Sequence, residues 1–134
     1  NARWDWMDRS ESYGPKLLAE RVFETVPTDS VVIAKWSTAV VLEYYQIVEG
    51  QRPDLVIFNR SRYEVATYYN HWSQGLPLPM ALRLTAQAEL DLLRILGRDR
   101  AIYDLVYDPE LARDYEYRPL GFVFLLKPRD PSQG

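Results

Sequence analysis

The sequence predicts an α/β domain in which helices cover both faces of a mostly parallel sheet. Two runs of aliphatic and β-branched residues, at 31–36 and 55–58, lack the alternation of polar and apolar residues that marks a half-exposed strand. Such runs are typical of strands that are covered on both faces. A helical stretch lies between them, and this order of strand, helix and strand imposes parallel pairing through a right-handed crossover.

The first predicted helix spans residues 15–26. Its apolar residues Leu18, Val22 and Val26 recur at intervals of four, which places them on one helix face. We expect that face to pack against the sheet.

The second predicted helix connects the two strands. Ser37 or Thr38 is suited to cap its amino end, and Gly50 is suited to the left-handed conformation that follows a carboxyl end, so the helix is expected to occupy 37–49. Apolar side chains cover most of its circumference. We therefore expect this helix to be largely buried.

The second half of the chain continues the same alternation of helix and strand. Helices are predicted at 63–74 and 86–96, separated by a loop because the Leu-Pro-Leu-Pro segment does not extend a helix. A third strand is predicted at 101–106 and a short helix at 108–114. Two further runs joined at Gly121 predict a terminal antiparallel hairpin, with strands at 115–120 and 122–126. The sum is a three-layer αβα sandwich with a Rossmann-like, mostly parallel sheet.

Length and composition are consistent with one such domain. The chain has 134 residues and no cysteine, so it has no disulfide framework and no thiolate zinc site. Asn1 and Ala2 are typical of a scar left by tag cleavage, so we expect residues 3–128 to form the domain and 129–134 to form a disordered tail. A net charge of −3 disfavours nucleic acid as a partner.

Candidate binding residues follow the predicted strands at their carboxyl ends, where ligands collect in open parallel sheets. The basic and hydroxyl residues after the first strand suit a small anion or merely cap a helix. The two arginines after the second suit a phosphate or carboxylate clamp or lie on a solvated loop. The candidates are Lys35, Trp36, Ser37, Thr38, Asn59, Arg60, Arg62 and Asp108.

Aromatic residues are numerous for this length. They suit sugar stacking, contact with a membrane interface or half-buried packing. A groove lined by those at or after the strand ends is one further hypothesis: Trp36, Tyr63, Tyr68, Tyr69 and Trp72.

Several familiar chemistries lack a signature. The loop after the first strand has no glycine, which disfavours a dinucleotide or P-loop site. The chain has no His-x-x-x-His and no Gly-x-Ser-x-Gly motif, and His71, its only histidine, is expected to be structural. No catalytic residue, metal or cofactor is predicted.

One segment resembles the signature of a known family. Residues 44–55 read Tyr-Tyr-Gln-Ile-Val-Glu-Gly-Gln-Arg-Pro-Asp-Leu. This is similar to the Tyr-x-x-Val-Glu-Gly-x-Arg-Pro-Asp-Val pattern of bacterial multi-pass membrane proteins related to protein O-mannosyltransferases. The resemblance covers 8–58 well and 101–128 loosely. Shorter matches support it: Asp8 to Ser10, Ala19-Glu20, Val26 to Val32, Pro109 to Ala112, and Tyr117 to Gly121.

The resemblance implies a setting more than a reaction. It implies a polytopic membrane glycosyltransferase that uses lipid-linked sugars, with this domain after the last membrane helix and outside the cytoplasm. The family's catalytic acid lies in an early loop between membrane helices, so no catalytic residue is carried over. Many members have acidic residues where this chain has 35–38.

Three functional hypotheses follow. The first is an accessory, non-catalytic domain that contacts an acceptor, a glycan or the membrane-embedded portion of the same chain. The second is a small domain that binds an anion or a phosphosugar and has its own activity. The third is an interaction module with no small-molecule site.

Overall fold

The computed structural model describes residues 14–130, apart from the side chains of Tyr63 and Glu64. Helices and strands alternate through most of this range. In chain order the elements are α1 (Pro15–Thr25), β1 (Val31–Ala34), α2 (Trp36–Ile47), β2 (Val56–Asn59), α3 (Ser61–Gln74), α4 (Leu78–Leu96), β3 (Ile102–Asp104), a 3-10 helix (Leu111–Arg113), β4 (Tyr115–Leu120) and β5 (Val123–Pro128).

The strands form one mixed sheet in the order β2-β1-β3-β5-β4. β1 pairs in parallel with β2 on one side and with β3 on the other. β5 is antiparallel to both β3 and β4. Gly121, with φ of 66°, lies in the turn of the terminal hairpin. The predicted α/β fold, with its parallel centre and antiparallel carboxyl-terminal strands, is therefore confirmed.

Two hydrophobic clusters lie on opposite faces of the sheet. In one, α1 and α2 cover Val32 and Ala34 of β1 and Tyr103 of β3. In the other, α4 covers the alternate residues Val31 and Ile33 of β1. Since successive side chains of a strand point to opposite faces, the continuous apolar run of β1 supplies both clusters. This arrangement gives three layers.

The start of α2 differs from the prediction. β1 ends at Ala34 rather than at residue 36, and α2 begins at Trp36 with Lys35 as its cap. Neither Ser37 nor Thr38 caps the helix, so the predicted cap is wrong. The reason is that Trp36, with φ of 49°, makes the turn by itself and leaves both hydroxyls inside the first helical turn.

The burial predicted for α2 is also wrong. Only Ala39 and Leu42 are buried, whereas Val40, Ile47 and the following Val48 are exposed. One face of α2 packs against α1 and the sheet, and no other described element covers the opposite face. When apolar residues occur on all sides of a helix, the sequence does not indicate which side is covered.

The segments between residues 76 and 114 also differ in extent. α4 begins at Leu78, inside the segment predicted to be a loop, because Pro79 occupies the first turn, where no backbone N–H is needed. The third strand spans 102–104 rather than 101–106. The predicted helix at 108–114 is a 3-10 helix of three residues.

The carboxyl-terminal end is ordered beyond the predicted domain boundary. The backbone N–H of Arg129 donates to the carbonyl of Asp114 at 2.8 Å, and its Nε donates to the carbonyl of Ala112 at 2.8 Å. Residues 131–134 of the predicted tail lie outside the described residues, as do Asn1, Ala2 and the Asp8 to Ser10 motif.

α3 and the first half of α4 form a hairpin that projects from the sheet. Glu89 contacts Arg60, which directly follows β2. Leu93, one turn later in α4, packs in the core with Ile102 at the beginning of β3. From Glu89 onward, α4 therefore runs across the sheet from the carboxyl edge of the parallel strands to their amino edge. The residues of α4 before Glu89 extend past the carboxyl edge. α3 begins at the same edge and packs against these earlier residues of α4. We call residues 61–88 the α3–α4 hairpin.

A separate network of hydrogen bonds and ion pairs at the amino edge of β2 is centred on Arg52. The Arg52 guanidinium donates to the carbonyls of Phe23, Val26 (3.0 Å) and Pro27 (3.0 Å) at the end of α1. It also forms an ion pair of 2.9 Å with Asp54. Arg52 thus links the end of α1 to the turn that leads into β2 by hydrogen bonds. Its role is structural.

Candidate functional site

A cavity of about 580 Å³ lies at the carboxyl ends of β1 and β3, beside the start of α3. It has the size of an ordinary small-molecule pocket. The parallel strands end at this edge, and each chain segment that leaves them contributes to the lining. Of the predicted candidates, the cavity is lined by Lys35, Trp36, Ser37, Thr38, Arg60 and Asp108.

The other two candidates lie outside the lining of this cavity. The Asn59 side-chain oxygen accepts from the backbone N–H of Ser61 at 3.0 Å and from the Ser61 hydroxyl, which orders the start of α3. Arg62 is exposed and forms an ion pair of 3.2 Å with Glu43 of α2. Both side chains serve local structure.

Arg60 is buried at the base of the cavity among acidic side chains. Its guanidinium contacts the carboxylates of Glu89 and Asp108, and Glu110 lies 3.6 Å away. The predicted guanidinium clamp therefore faces carboxylates that the chain itself supplies. Its positive charge is already balanced without a bound anion.

Asp108 and Glu110, two of the acidic residues around Arg60, lie on a loop that is ordered by local hydrogen bonds to backbone N–H groups. The Asp108 carboxylate accepts from the backbone N–H of Glu110 at 2.9 Å, and its carbonyl accepts from that of Ala112 at 2.9 Å. The Lys35 ammonium lies 3.9 Å from Asp108. Asp108 thus both orders the loop and faces the cavity.

Asp104 is a buried carboxyl group at the end of β3. Burial raises its pKa to about 6, against the hydrogen bond from Tyr117, which lowers it. The Tyr117 hydroxyl donates to Asp104 at 2.6 Å, and the Val106 backbone N–H donates at 3.3 Å. Burial, together with Asp104, raises the pKa of Tyr117, so this phenol stays protonated and remains the donor.

The electrostatic balance of the cavity is acidic. Burial raises the pKa of Glu89, although Arg60 opposes this. The cavity is lined by two basic side chains, Lys35 and Arg60, and by the three carboxyl groups at positions 104, 108 and 110. Glu89 of α4 adds a carboxyl group in contact with Arg60. An incoming anion would meet this excess of acid, whereas hydroxyl groups would find acceptors.

Two aromatic side chains lie at the mouth of the cavity. Trp36 is 60% exposed, and its backbone has a positive φ of 49°, which is unusual for a bulky residue. Tyr107 is half-exposed and packs edge-on against Tyr117, with ring centroids 5.1 Å apart. Together they offer flat apolar surface beside the carboxylates.

The hypothesis of a single aromatic groove is wrong for the described side chains. Of its proposed members, Trp36 lines the cavity, whereas Tyr68, Tyr69 and Trp72 are exposed on the α3–α4 hairpin. The side chain of Tyr63 lies outside the described residues.

The predicted binding candidates do not include all of the residues that form the site. Asp104, Tyr107 and Glu110 line the cavity, and Glu89 contacts Arg60 from α4. Asp104 carries a usable signal, since it ends an apolar strand at the ligand-binding edge. Glu89 carries none, because it lies in the middle of a helix.

Among the described residues of 14–130, no group of three His, Cys, Asp or Glu side chains is arranged to hold a metal ion. His71 Nδ1 lies 2.8 Å from the carbonyl of Leu76, a local contact at the end of α3. Within the same range, no helix has both the length and the apolar character needed to cross a membrane.

Comparisons with protein-family models, with curated proteins and with solved structures found no match to this chain.

Proposed function

We propose that this chain is an accessory, non-catalytic, extracytoplasmic domain of a polytopic glycosyltransferase-like membrane protein, and that its edge cavity binds an uncharged glycan. The membrane-embedded portion of that larger protein is its other proposed partner. One observation carries the glycan proposal. A single cavity combines an exposed indole with more carboxyl groups than cations.

This combination matches the chemistry of a sugar. A pyranose ring has an apolar face that stacks on a flat aromatic surface such as Trp36 or Tyr107. Its hydroxyl groups donate hydrogen bonds, and ionised carboxylates such as Asp108 and Glu110 are pure acceptors. Lys35 supplies a donor at the same mouth.

The alternative is an anion or phosphosugar site with its own activity. Lys35 favours it, because this ammonium is half-exposed and lies at the cavity. The surplus of carboxyl groups opposes it, since a phosphate would be repelled by Asp108 and Glu110 at close range. Electrostatics therefore favours the uncharged ligand.

Calorimetric titration of the full chain tests the proposal. Neutral disaccharides, including mannobiose, are titrated beside mannose 1-phosphate at the same pH. We expect saturable binding of a neutral disaccharide, weakened about tenfold by Trp36→Ala, which is the loss expected for one stacking contact.

Trp72→Ala is the matched control, since that indole is also exposed but lies on the α3–α4 hairpin. It should leave sugar affinity unchanged. Saturable binding of mannose 1-phosphate without any neutral sugar would establish the alternative. No saturable heat with either probe would overturn the glycan proposal.

A further inference from the structure

We propose that the tip of the α3–α4 hairpin, residues 65–82, docks on the interface of a phospholipid bilayer. This surface is separate from the edge cavity, and the proposal does not depend on glycan binding. Three features support it: the projection of the hairpin, the inverted distribution of its side chains, and the distribution of its charge.

The hairpin extends well past the sheet. Glu89 marks the level of the carboxyl edge through its contact with Arg60, and α4 begins at Leu78. At 1.5 Å per helical residue, the intervening eleven residues place the tip roughly 16 Å beyond that edge. Such a convex tip presents little area to a flat protein partner, but it can enter the headgroup region of a bilayer.

The side chains of the hairpin are distributed opposite to those of a water-exposed helix pair. Thr67, Ala81 and Thr85 are buried in it, and all three are small. Large apolar and aromatic side chains face outward, and Trp72 is 79% exposed. Small residues at helix contacts and large apolar residues outside are typical of helices surrounded by lipid. The outward set on the tip is Val65, Tyr68, Tyr69, Trp72, Leu78, Met80 and Leu82.

The charge of the hairpin complements a bilayer. No Asp, Glu, Lys or Arg occurs from Val65 to Leu82. Arg83 follows directly and is exposed, so one cation adjoins the uncharged segment and is available to lipid phosphates. Protein interfaces, in contrast, have a polar rim and are enriched in arginine.

The aromatic residues indicate a position at the interface rather than within the hydrocarbon core. Tyr68, Tyr69 and Trp72 each combine an apolar ring with a polar atom, and such rings concentrate at the headgroup level of membranes. The hairpin is therefore proposed to lie in the interface of one leaflet.

Vesicle binding by the full chain tests this proposal. Vesicles of pure phosphatidylcholine and vesicles containing phosphatidylglycerol are used in cosedimentation, together with tryptophan emission. We expect binding to both, stronger with phosphatidylglycerol because of Arg83. We also expect a blue shift of emission that Trp72→Phe removes. The double substitution Tyr69→Ser and Leu82→Ser should weaken binding at least tenfold.

The matched control is Ile47→Ser on α2, a side chain that is 75% exposed on a different surface. It should bind vesicles as the unmodified chain does, and so should Trp36→Ala, which separates this proposal from the glycan site. Thermal unfolding of each variant shows that it is folded. Failure to sediment with either vesicle would overturn the proposal. So would self-association that the tip variant abolishes in the absence of vesicle binding, because the tip would then contact a second copy.

Discussion

Arg52 and Arg60 lie at opposite ends of β2 and have contrasting partners. Arg52, before the strand, donates to three carbonyls and pairs with one carboxylate, Asp54. Arg60, after the strand, has three carboxylates around it and a cavity beside it. Around Arg52, the hydrogen-bonding groups are satisfied within the chain and the positive charge is balanced by one carboxylate. The arrangement around Arg60 has an excess of acid that faces solvent-accessible space, which is the property expected of a binding site.

The pKa values of the carboxyl groups at the two ends of β2 are shifted in opposite directions. The hydrogen bond from Arg52 and the Asp29 backbone N–H lower the pKa of Asp54. Burial raises the pKa values of Glu89 and Asp104 at the other end. Arg52 lies in the segment whose sequence resembles the family pattern, yet its contacts are structural. Its partners decide its role.

Removal of Arg60 is expected to have the largest effect on stability. Arg60→Ala leaves Glu89 and the base of the cavity without their cation, and breaking a buried ion pair in this way costs about 4 kcal/mol of unfolding free energy. Urea denaturation measures the change. Arg62→Ala is the control, since its pair with Glu43 is exposed on the arginine side and is worth less than about 1 kcal/mol. Equal effects of the two substitutions would contradict the ion-pair assignment.

Arg52→Ala should come next. The carbonyls at the end of α1 lose a charged donor, so we expect the unfolding free energy to fall by about 3 kcal/mol. Sugar binding at the cavity should be unchanged in the folded variant, as measured by calorimetry. Arg118→Ala, which removes an exposed pair with Glu116, should change stability by less than about 0.5 kcal/mol. Loss of sugar affinity in Arg52→Ala would contradict its purely structural role.

Asp104→Asn should have a smaller, pH-dependent effect. The pKa of Asp104 is about 6 in the folded chain against an ordinary value of 3.8, so the folded state binds more protons between these limits. Its contribution to stability is therefore full below pH 4 and is lost as pH rises through 6.

Unfolding free energies of the unmodified chain and of Asp104→Asn, measured in urea at pH 4.5 and pH 7.5, isolate this contribution. Between these values the unmodified chain should lose on the order of 2 kcal/mol relative to the variant on going to higher pH. Asp54 has the opposite pH dependence but is present in both proteins, so it cancels in the difference. A difference that does not vary with pH would show that Asp104 is not held in a desolvated site.

The central βαβ unit could be predicted from the sequence because local patterns determine it. The continuous apolar runs at β1 and β2 indicate strands covered on both faces, and a helix between them permits only one handedness. Gly121 likewise marked the terminal hairpin. The start of α4 was missed because a proline permits both a loop and a first helical turn.

The site was predictable only in part. The rule that ligands bind at the carboxyl ends of parallel strands places Lys35 to Thr38, Arg60 and Asp108 at one edge. The contact between Arg60 and Glu89 depends on how α4 packs, which no local pattern specifies. The exposure of α2 was missed for the same kind of reason, since its apolar circumference does not show which face is covered.

The most direct test of the account is the two-dimensional ¹H–¹⁵N spectrum of the full chain, in which each indole N–H gives its own resonance. Assignment of Trp36 and Trp72 uses the Trp36→Phe and Trp72→Phe variants. We predict that a saturating neutral disaccharide shifts the Trp36 indole signal and leaves that of Trp72 unchanged. A spectrum in which neither mannobiose nor any other neutral disaccharide moves the Trp36 resonance would contradict the proposal that the edge cavity binds a glycan.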